Sequence, residues 1–379
     1  MFKLFTLEQK EQWNNIVRSF KNYDVYWLSG YVKAFKIHGD GEPLLFYYEG
    51  DSTRGINVVM KRDVAKDERF EGKIPEGIYF DFATPYGYGG WIVEGEKTEE
   101  LFREYEIWAQ KNGIISEFVR FHPMIKNHTK SKNFYEVIQL GEVVHMDLTS
   151  PEDIWNNIIS KNRNMIRKAI KNDVIVYNGR FPEIYEKFRL IYNATMDKDD
   201  AEEYYYFAPK FYQSVLEDLS QNAQIFWSER NGEVIAASII VGANGYLDYH
   251  LSGSLREYSS LAPTNLLLYK AALWGCANGY RSLYLGGGVG SGEDSLFKFK
   301  RAFYKGSLNH FYIGRKIFDK VAYQQLLSLR SKGNKEMEDK LIHTGFFPAY
   351  RGGGTRRIVY YLLLLNLRNI LCFEQRKGA

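Results

Sequence analysis

Residues 283–303, LYLGGGVGSGEDSLFKFKRAF, place five glycines in the seven positions 286–292 and then run into Phe297, Lys298, Phe299, Lys300, Arg301 and Phe303. Glycine lets a backbone approach a ligand closely, which makes Gly286, Gly287 and Gly288 candidate binding positions. Three uses fit the pattern: a phosphate cradle, backbone donors for an oxyanion, and a plain strand-to-helix turn. The nucleotide loops fit poorly. No Lys-Ser/Thr pair follows the glycines, the G-x-G-x-x-G spacing is met only loosely, and no ribose-binding acid follows in a βαβ unit. The chain has no G-x-S-x-G elbow and no H-E-x-x-H. Its seven histidines (38, 122, 128, 145, 250, 310 and 343) are tied by no motif to a nucleophile, so no metal site is expected. What these residues suit is direct transfer between two bound substrates. An amine attacking an activated acyl group needs positioning, a route for its proton and donors aimed at the oxyanion. On a helix Phe299 and Phe303 share one face, as do Leu296 and Lys300. Core phenylalanines with solvated cations are the plain alternative.

A second candidate is DLTSPEDIWNNIISKNRNMIRKAIKN, residues 147–172. Ser150 is a good N-cap, Pro151 suits the first helical position, and Glu152 and Asp153 suit the positive end of the dipole. An apolar stripe runs from Ile154 to Ile170, with a gap at 160–164 where the helix is expected to break. Lys161, Arg163, Arg167, Lys168 and Lys171 charge its second half. Arg163 and Arg167 lie one turn apart and can grip one phosphate together; a solvated face is the other reading.

The elements that must carry these residues come in two copies. VYWLSGYVKAF at 25–35 matches YYYFAPKFYQSV at 204–215 in pattern, an aromatic cluster entering a helix. PLLFYYEGDSTRGINVVMKR at 43–62 matches AQIFWSERNGEVIAASIIVG at 223–242, each a hairpin around a Gly-containing turn. EELFREYEIWAQKNGIISEFVRF at 99–121 matches NLLLYKAALWGCANGYRSLYLGG at 265–287, a helix stopped at Asn-Gly and followed at once by a strand. The first two pairs are about 180 residues apart and the third about 166. Two copies of one α/β unit are therefore expected, divided near residues 142–149. After residue 305 the repeat is exhausted; a helix at 318–342 and a Gly-rich basic loop at 343–357 follow.

With 379 residues, 45% hydrophobic and 25% charged, the chain has globular composition and room for two domains. Aromatics reach 16%, which suits either wide grooves or a large aromatic core. A net charge of +4 suits an anionic substrate without implying DNA binding. Cys276 and Cys372 form neither a metal motif nor a disulfide framework, so a reducing compartment, the cytoplasm, is expected. The N-terminal stretch has no signal-peptide core. IVYYLLLLNL at 358–367 is too short to span a bilayer and reads as a final core element, with contact at the inner membrane face as the alternative.

GGGVGSGEDSLFKFKRAF, preceded by YHLSGS at 249–254 and LAPTNLLLYKAALWGCANGYRSLYL at 261–285, resembles the FemABX-type aminoacyltransferases and their acetyltransferase-like relatives. ATPYGYGG at 83–90 and SKNRNMIRKAIK at 160–171 extend the resemblance over roughly residues 25–305. It implies two tandem GNAT-like domains, each a mixed central sheet flanked by helices. The first is expected over 1–146 with the acceptor cleft, the second over 147–379 with the donor side and a C-terminal extension. It further implies that Phe299 and Lys300 are the catalytic pair, with Lys300 near the reacting ester or the terminal RNA phosphate. Lys161, Arg163 and Arg167 would lie along the groove, Tyr86 and Tyr88 in the first domain's cleft, and His250 on a strand near the second. The implied reaction is transfer of an amino acid from aminoacyl-tRNA to a peptidoglycan-type precursor, with no tightly bound cofactor. Two alternatives stay open: an acyl-CoA-dependent N-acyltransferase acting on an amino sugar or polysaccharide precursor, and a non-catalytic binding protein on the same fold. The absence of a [QR]-x-x-G-x-[GA] pyrophosphate loop counts against CoA.

Overall fold

The computed structural model describes residues 2–288 and 292–353, which form two compact units: 2–140 with 310–353, and 141–309. Val289, Gly290, Ser291 and the apolar run at 358–367 lie outside the described residues.

In chain order the elements are β1 (Phe2–Phe5), α1 (Lys10–Arg18), α2 (Ser29–His38), β2 (Glu42–Glu49), β3 (Arg54–Asp63), β4 (Phe80–Ala83), β5 (Ile92–Glu94), α3 (Glu99–Lys111), β6 (Ile114–Arg120), α4 (His128–Ser131) and β7 (Glu136–Asp147). There follow α5 (Pro151–Asn157), α6 (Ser160–Lys171), β8 (Ile175–Gly179), α7 (Pro182–Lys198), α8 (Pro209–Asp218), β9 (Ala223–Arg230), β10 (Glu233–Ala243), β11 (Tyr246–Ser254), α9 (Pro263–Ala277), β12 (Ser282–Gly286), α10 (Ser295–Arg301), β13 (Asn309–Ile317), α11 (Lys320–Ser331) and α12 (Lys335–His343).

The first unit has strand order β1-β2-β3-β4-β6-β13, antiparallel throughout except for the parallel pair β4–β6, while β5 also pairs with β3. The second has β8-β9-β10-β11-β12-β7, again antiparallel except for β11–β12. In each, two helices lie between the first and second strands and one helix precedes the fifth. The sequence repeat is thus a repeat of topology: two units in tandem, each a mixed sheet flanked by helices. The sixth strands come from outside the repeats. β7 lies between the copies and β13 after both, so from His310 onward the described chain belongs with the first unit. The sequence reading attached this segment to the second domain and divided the chain at 146/147, whereas the units divide at 140/141, inside β7. Side chains account for this attachment. Arg351 reaches Asp81 on β4 at 2.6 Å and Asp67 at 2.8 Å, and Tyr350 donates to Asp81 at 3.0 Å.

Local chemistry sets the boundaries. α3 and α9 end just before an Asn-Gly pair whose glycine is left-handed (Gly113, φ 68°; Gly279, φ 77°); β6 starts at once after the first, and β12 three residues after the second. The β9–β10 turn is Asn231-Gly232, both at positive φ (52° and 79°), which matches the twist of a two-residue hairpin. Aromatics fill the core of the first unit: Phe46, Trp91 and Tyr105 are buried, with ring centroids 5.1 Å apart for Phe46–Tyr105 and for Trp91–Tyr105. The high aromatic content therefore serves packing there. Among the described residues no helix is long and apolar enough to cross a membrane.

Candidate functional site

In the second unit, β12 leaves the sheet at Gly286, whose φ of 83° strains any residue with a Cβ. Gly287 and Gly288 continue a turn packed tightly on itself. A Cβ on Gly288 would strike the Gly292 carbonyl and the Asp294 carboxylate, and one on Gly287 would sit 2.9 Å from the Glu142 carbonyl. Asp294 then caps α10, its Oδ1 accepting from Phe297 N–H at 2.8 Å. Lys300 on α10 is fully buried, and its Nζ donates to the Gly287 carbonyl at 2.8 Å. Burial pushes its ammonium down to about 7, with the Asp294 charge opposing. A buried lysine that titrates near neutrality is a common mark of a working site. This one also fastens helix to turn. Phe299 is half-buried and packs edge-on against Phe303, 5.4 Å between centroids.

Beside this turn opens a cavity of about 620 Å³ whose lining includes Glu142, Ile159, Phe297, Arg301, Tyr304 and Lys305. Arg301 is committed to main-chain carbonyls, reaching Gly306 O at 3.0 Å and also Tyr304 O. Tyr304 donates to Asp147 Oδ2, and burial together with that carboxylate pushes its phenol up to about 12. The hydroxyl therefore keeps its proton at neutral pH. Asp147 also lies 3.4 Å from His145 Nε2, and His145 Nδ1 lies 3.4 Å from Asn309 Nδ2. This Asn309-His145-Asp147-Tyr304 chain went unread in the sequence. Alternation along β7 puts His145 and Asp147 on one face, a visible signal. Tyr304 arrives after α10 and had none.

The basic helix forms, but the break falls at Ile158–Ile159, ahead of the expected gap. Both residues are extended (ψ 133° and 153°), and Ile159 N–H donates to Ala302 O at 3.1 Å, which ties α6 to the end of α10. Ser150 accepts from Asp153 N–H at 3.0 Å, the expected cap. Lys161 is exposed. Arg163 and Arg167 both turn over the Trp155 ring, at 6.0 and 5.1 Å, and Trp155 packs on Tyr269 at 5.1 Å. The two guanidiniums thus lie one turn apart on an aromatic base.

His250 is buried on β11, where burial pushes its imidazole down to about 3 and keeps it neutral. Tyr86 and Tyr88 belong to the first unit and are buried in an aromatic cluster. Tyr86 stacks on Phe35 (5.1 Å, 3° between planes), and Tyr88 meets Tyr26 and His122, each at 5.4 Å. Of the residues singled out in the sequence, Gly286–Gly288, Phe299 and Lys300 lie together at the turn, and α6 is joined to it through Ala302.

Residues 160–301 match the acetyltransferase (GNAT) domain family. No curated protein sequence matches the chain. Among solved structures it is similar to FemX (11% identity, 86% of this chain and 99% of that one, TM-score 0.65). It is also similar to L-PGS from Bacillus licheniformis (15%, 86% and 97%, TM-score 0.54). A third similarity is to the C-terminal domain of a putative lysylphosphatidylglycerol synthetase from Agrobacterium fabrum (14%, 87% and 98%, TM-score 0.52). Residues 160–301 thus resemble a GNAT domain, and the chain has the fold of FemX. The family resemblance met in the sequence holds at the level of fold.

Proposed function

We propose that this protein is an acyltransferase that moves an aminoacyl group onto an amine of an anionic cell-envelope precursor. The observation that carries the reading is the buried Lys300 locked to the glycine turn, at the end of the GNAT-matched stretch and beside an open cavity. In the step envisaged, the acceptor nitrogen attacks the donor's ester carbonyl. The carbon–oxygen ester bond breaks, an amide forms, and the proton lost by the nitrogen ends on the departing oxygen. The glycine turn lets the donor approach the backbone, the Lys300 charge offsets the developing oxyanion, and the hydroxyl of Tyr304, a residue that lines the cavity, is held by Asp147 as a donor. Lys161, Arg163 and Arg167 would meet the phosphates of an aminoacyl-tRNA.

Acyl-CoA is the second reading of the donor, favoured by the match to an acetyltransferase domain. The test is turnover by the full chain. Transfer RNA charged with labelled amino acids and, separately, labelled acetyl-CoA are each offered with a UDP-linked peptidoglycan pentapeptide, and amide product is sought by mass. Labelled product from charged tRNA supports the reading. Product from acetyl-CoA alone moves the assignment to the second donor, and none from either leaves a binding protein.

A further inference from the structure

Arg120, the last residue of β6, is 4% exposed, yet its side chain makes no hydrogen bond or ion pair with any described residue, and its buried Nε has no acceptor. Buried Asp81, on the neighbouring strand β4, is by contrast paired with counter-charges. Asp81 is held by Arg62 and Arg351, both at 2.6 Å, and Arg351 also meets Asp67 at 2.8 Å. What Arg120 has instead is aromatic: its guanidinium lies 5.8 Å from the Tyr88 ring centre and 6.0 Å from that of Phe311. Cation–π contacts at this range repay only part of the cost of removing a charge from water.

The placement is built. The Arg120 backbone pairs with Ile313 on β13, and its carbonyl accepts from Gly89 N–H at 2.8 Å. The loop carrying Tyr88 is pressed against β6 by glycines that tolerate no side chain. Gly90 (φ 86°) has Val119 Cγ1 2.7 Å from where a Cβ would stand, and at Gly87 (φ 94°) a Cβ would enter the Tyr26 ring. A second polar group of this loop, the buried Thr84 hydroxyl, also lacks a partner.

We propose that Arg120 anchors a binding site for an oxyanion group, a carboxylate or a phosphate, in the first unit. The planar fork offers two parallel N–H donors to either group. The site deepens the transfer reading, whose anionic acceptor is expected in this unit beside Tyr88, but its test is binding and needs no turnover, so the two can fail separately.

The test is thermal unfolding of the full chain at constant ionic strength, in chloride alone, with inorganic phosphate or pyrophosphate, and with N-acetylalanine against its amide. The wild-type midpoint is expected to rise by about 2 °C with phosphate, pyrophosphate or N-acetylalanine, and not with the amide. Which arm responds identifies the oxyanion. Arg120→Met, which keeps the bulk and removes the charge, is expected to unfold in chloride no earlier than wild type and to lose the anion-dependent rise. A structural cation–π pillar would instead make that variant less stable. Two results overturn the proposal: no rise in wild type with any anion, a readout that needs no variant, or a rise that Arg120→Met retains.

Discussion

The fifth strands of the two units end in opposite ways. β6 closes on Arg120-Phe121-His122, and β12 closes on Gly286-Gly287-Gly288. In the first unit the chemistry at this point is carried by side chains. His122 faces the Asp24 carboxylate at 3.0 Å and accepts from Met124 and Ile125 N–H at 3.2 Å each, so its proton sits on Nε2. In the second unit it is carried by backbone, with Lys300 reaching under the turn to a carbonyl. Strand order and parallel pairing are the same, so topology does not assign the task; the residues at the strand end do. Glycine there opens the backbone to a substrate, while in the first unit bulky groups fill the same topological place and leave the Arg120 Nε, among the described residues, without a hydrogen-bond acceptor.

The sharpest way to break this contrast is Lys300→Ala, which is expected to lower kcat by about 10²- to 10³-fold while the circular-dichroism spectrum is kept. The sign of its pH dependence follows from the direction of the shift. With Lys300 titrating at about 7, the charged form required by the oxyanion is lost as pH rises, so wild-type kcat should fall through about pH 7. A kcat that rises there would make Lys300 a base instead. Gly288→Ala, which forces a Cβ into Gly292 and Asp294, should displace the turn and cost about 10²-fold in steady-state turnover. Tyr304→Phe removes one donor and should cost about tenfold in kcat.

The smallest effect belongs to the first unit. Glu117 accepts from Tyr105 (3.0 Å), Tyr135 (2.8 Å) and Asn57 (3.0 Å), and burial pushes its carboxyl up from 4.5 to about 7. A group raised in the folded state stabilises fully below its unfolded value and loses that contribution as pH rises through its folded value. The wild-type unfolding midpoint should therefore fall between pH 4.5 and about 7, by a few degrees, and Glu117→Gln should flatten that slope.

Much of this was legible in the sequence because it is local. The Asn-Gly stops after α3 and α9, the Asn231-Gly232 hairpin, the Ser150 cap and the glycine run each state their own conformation. The repeat was legible because both copies use these signals in the same order. The exchange of sixth strands was not, since β13 carries no mark of which sheet it completes, and the clasp of Arg351 on Asp67 and Asp81 joins residues remote in sequence. The bareness of Arg120 was hidden for the opposite reason: nothing in a sequence announces that a partner is missing. Lys300 was picked out by residue type and family resemblance, but its burial and its bond to Gly287 depend on how α10 packs.

Calorimetric titration of the full chain with charged tRNA and, separately, with acetyl-CoA, each at low and moderate salt, bears most directly on the central assignment. If the second unit works on an aminoacyl-tRNA through its glycine turn and the Arg163–Arg167 face, charged tRNA binds and weakens steeply as salt rises, because each phosphate contact releases counterions. Micromolar binding of acetyl-CoA with no detectable binding of charged tRNA would contradict it.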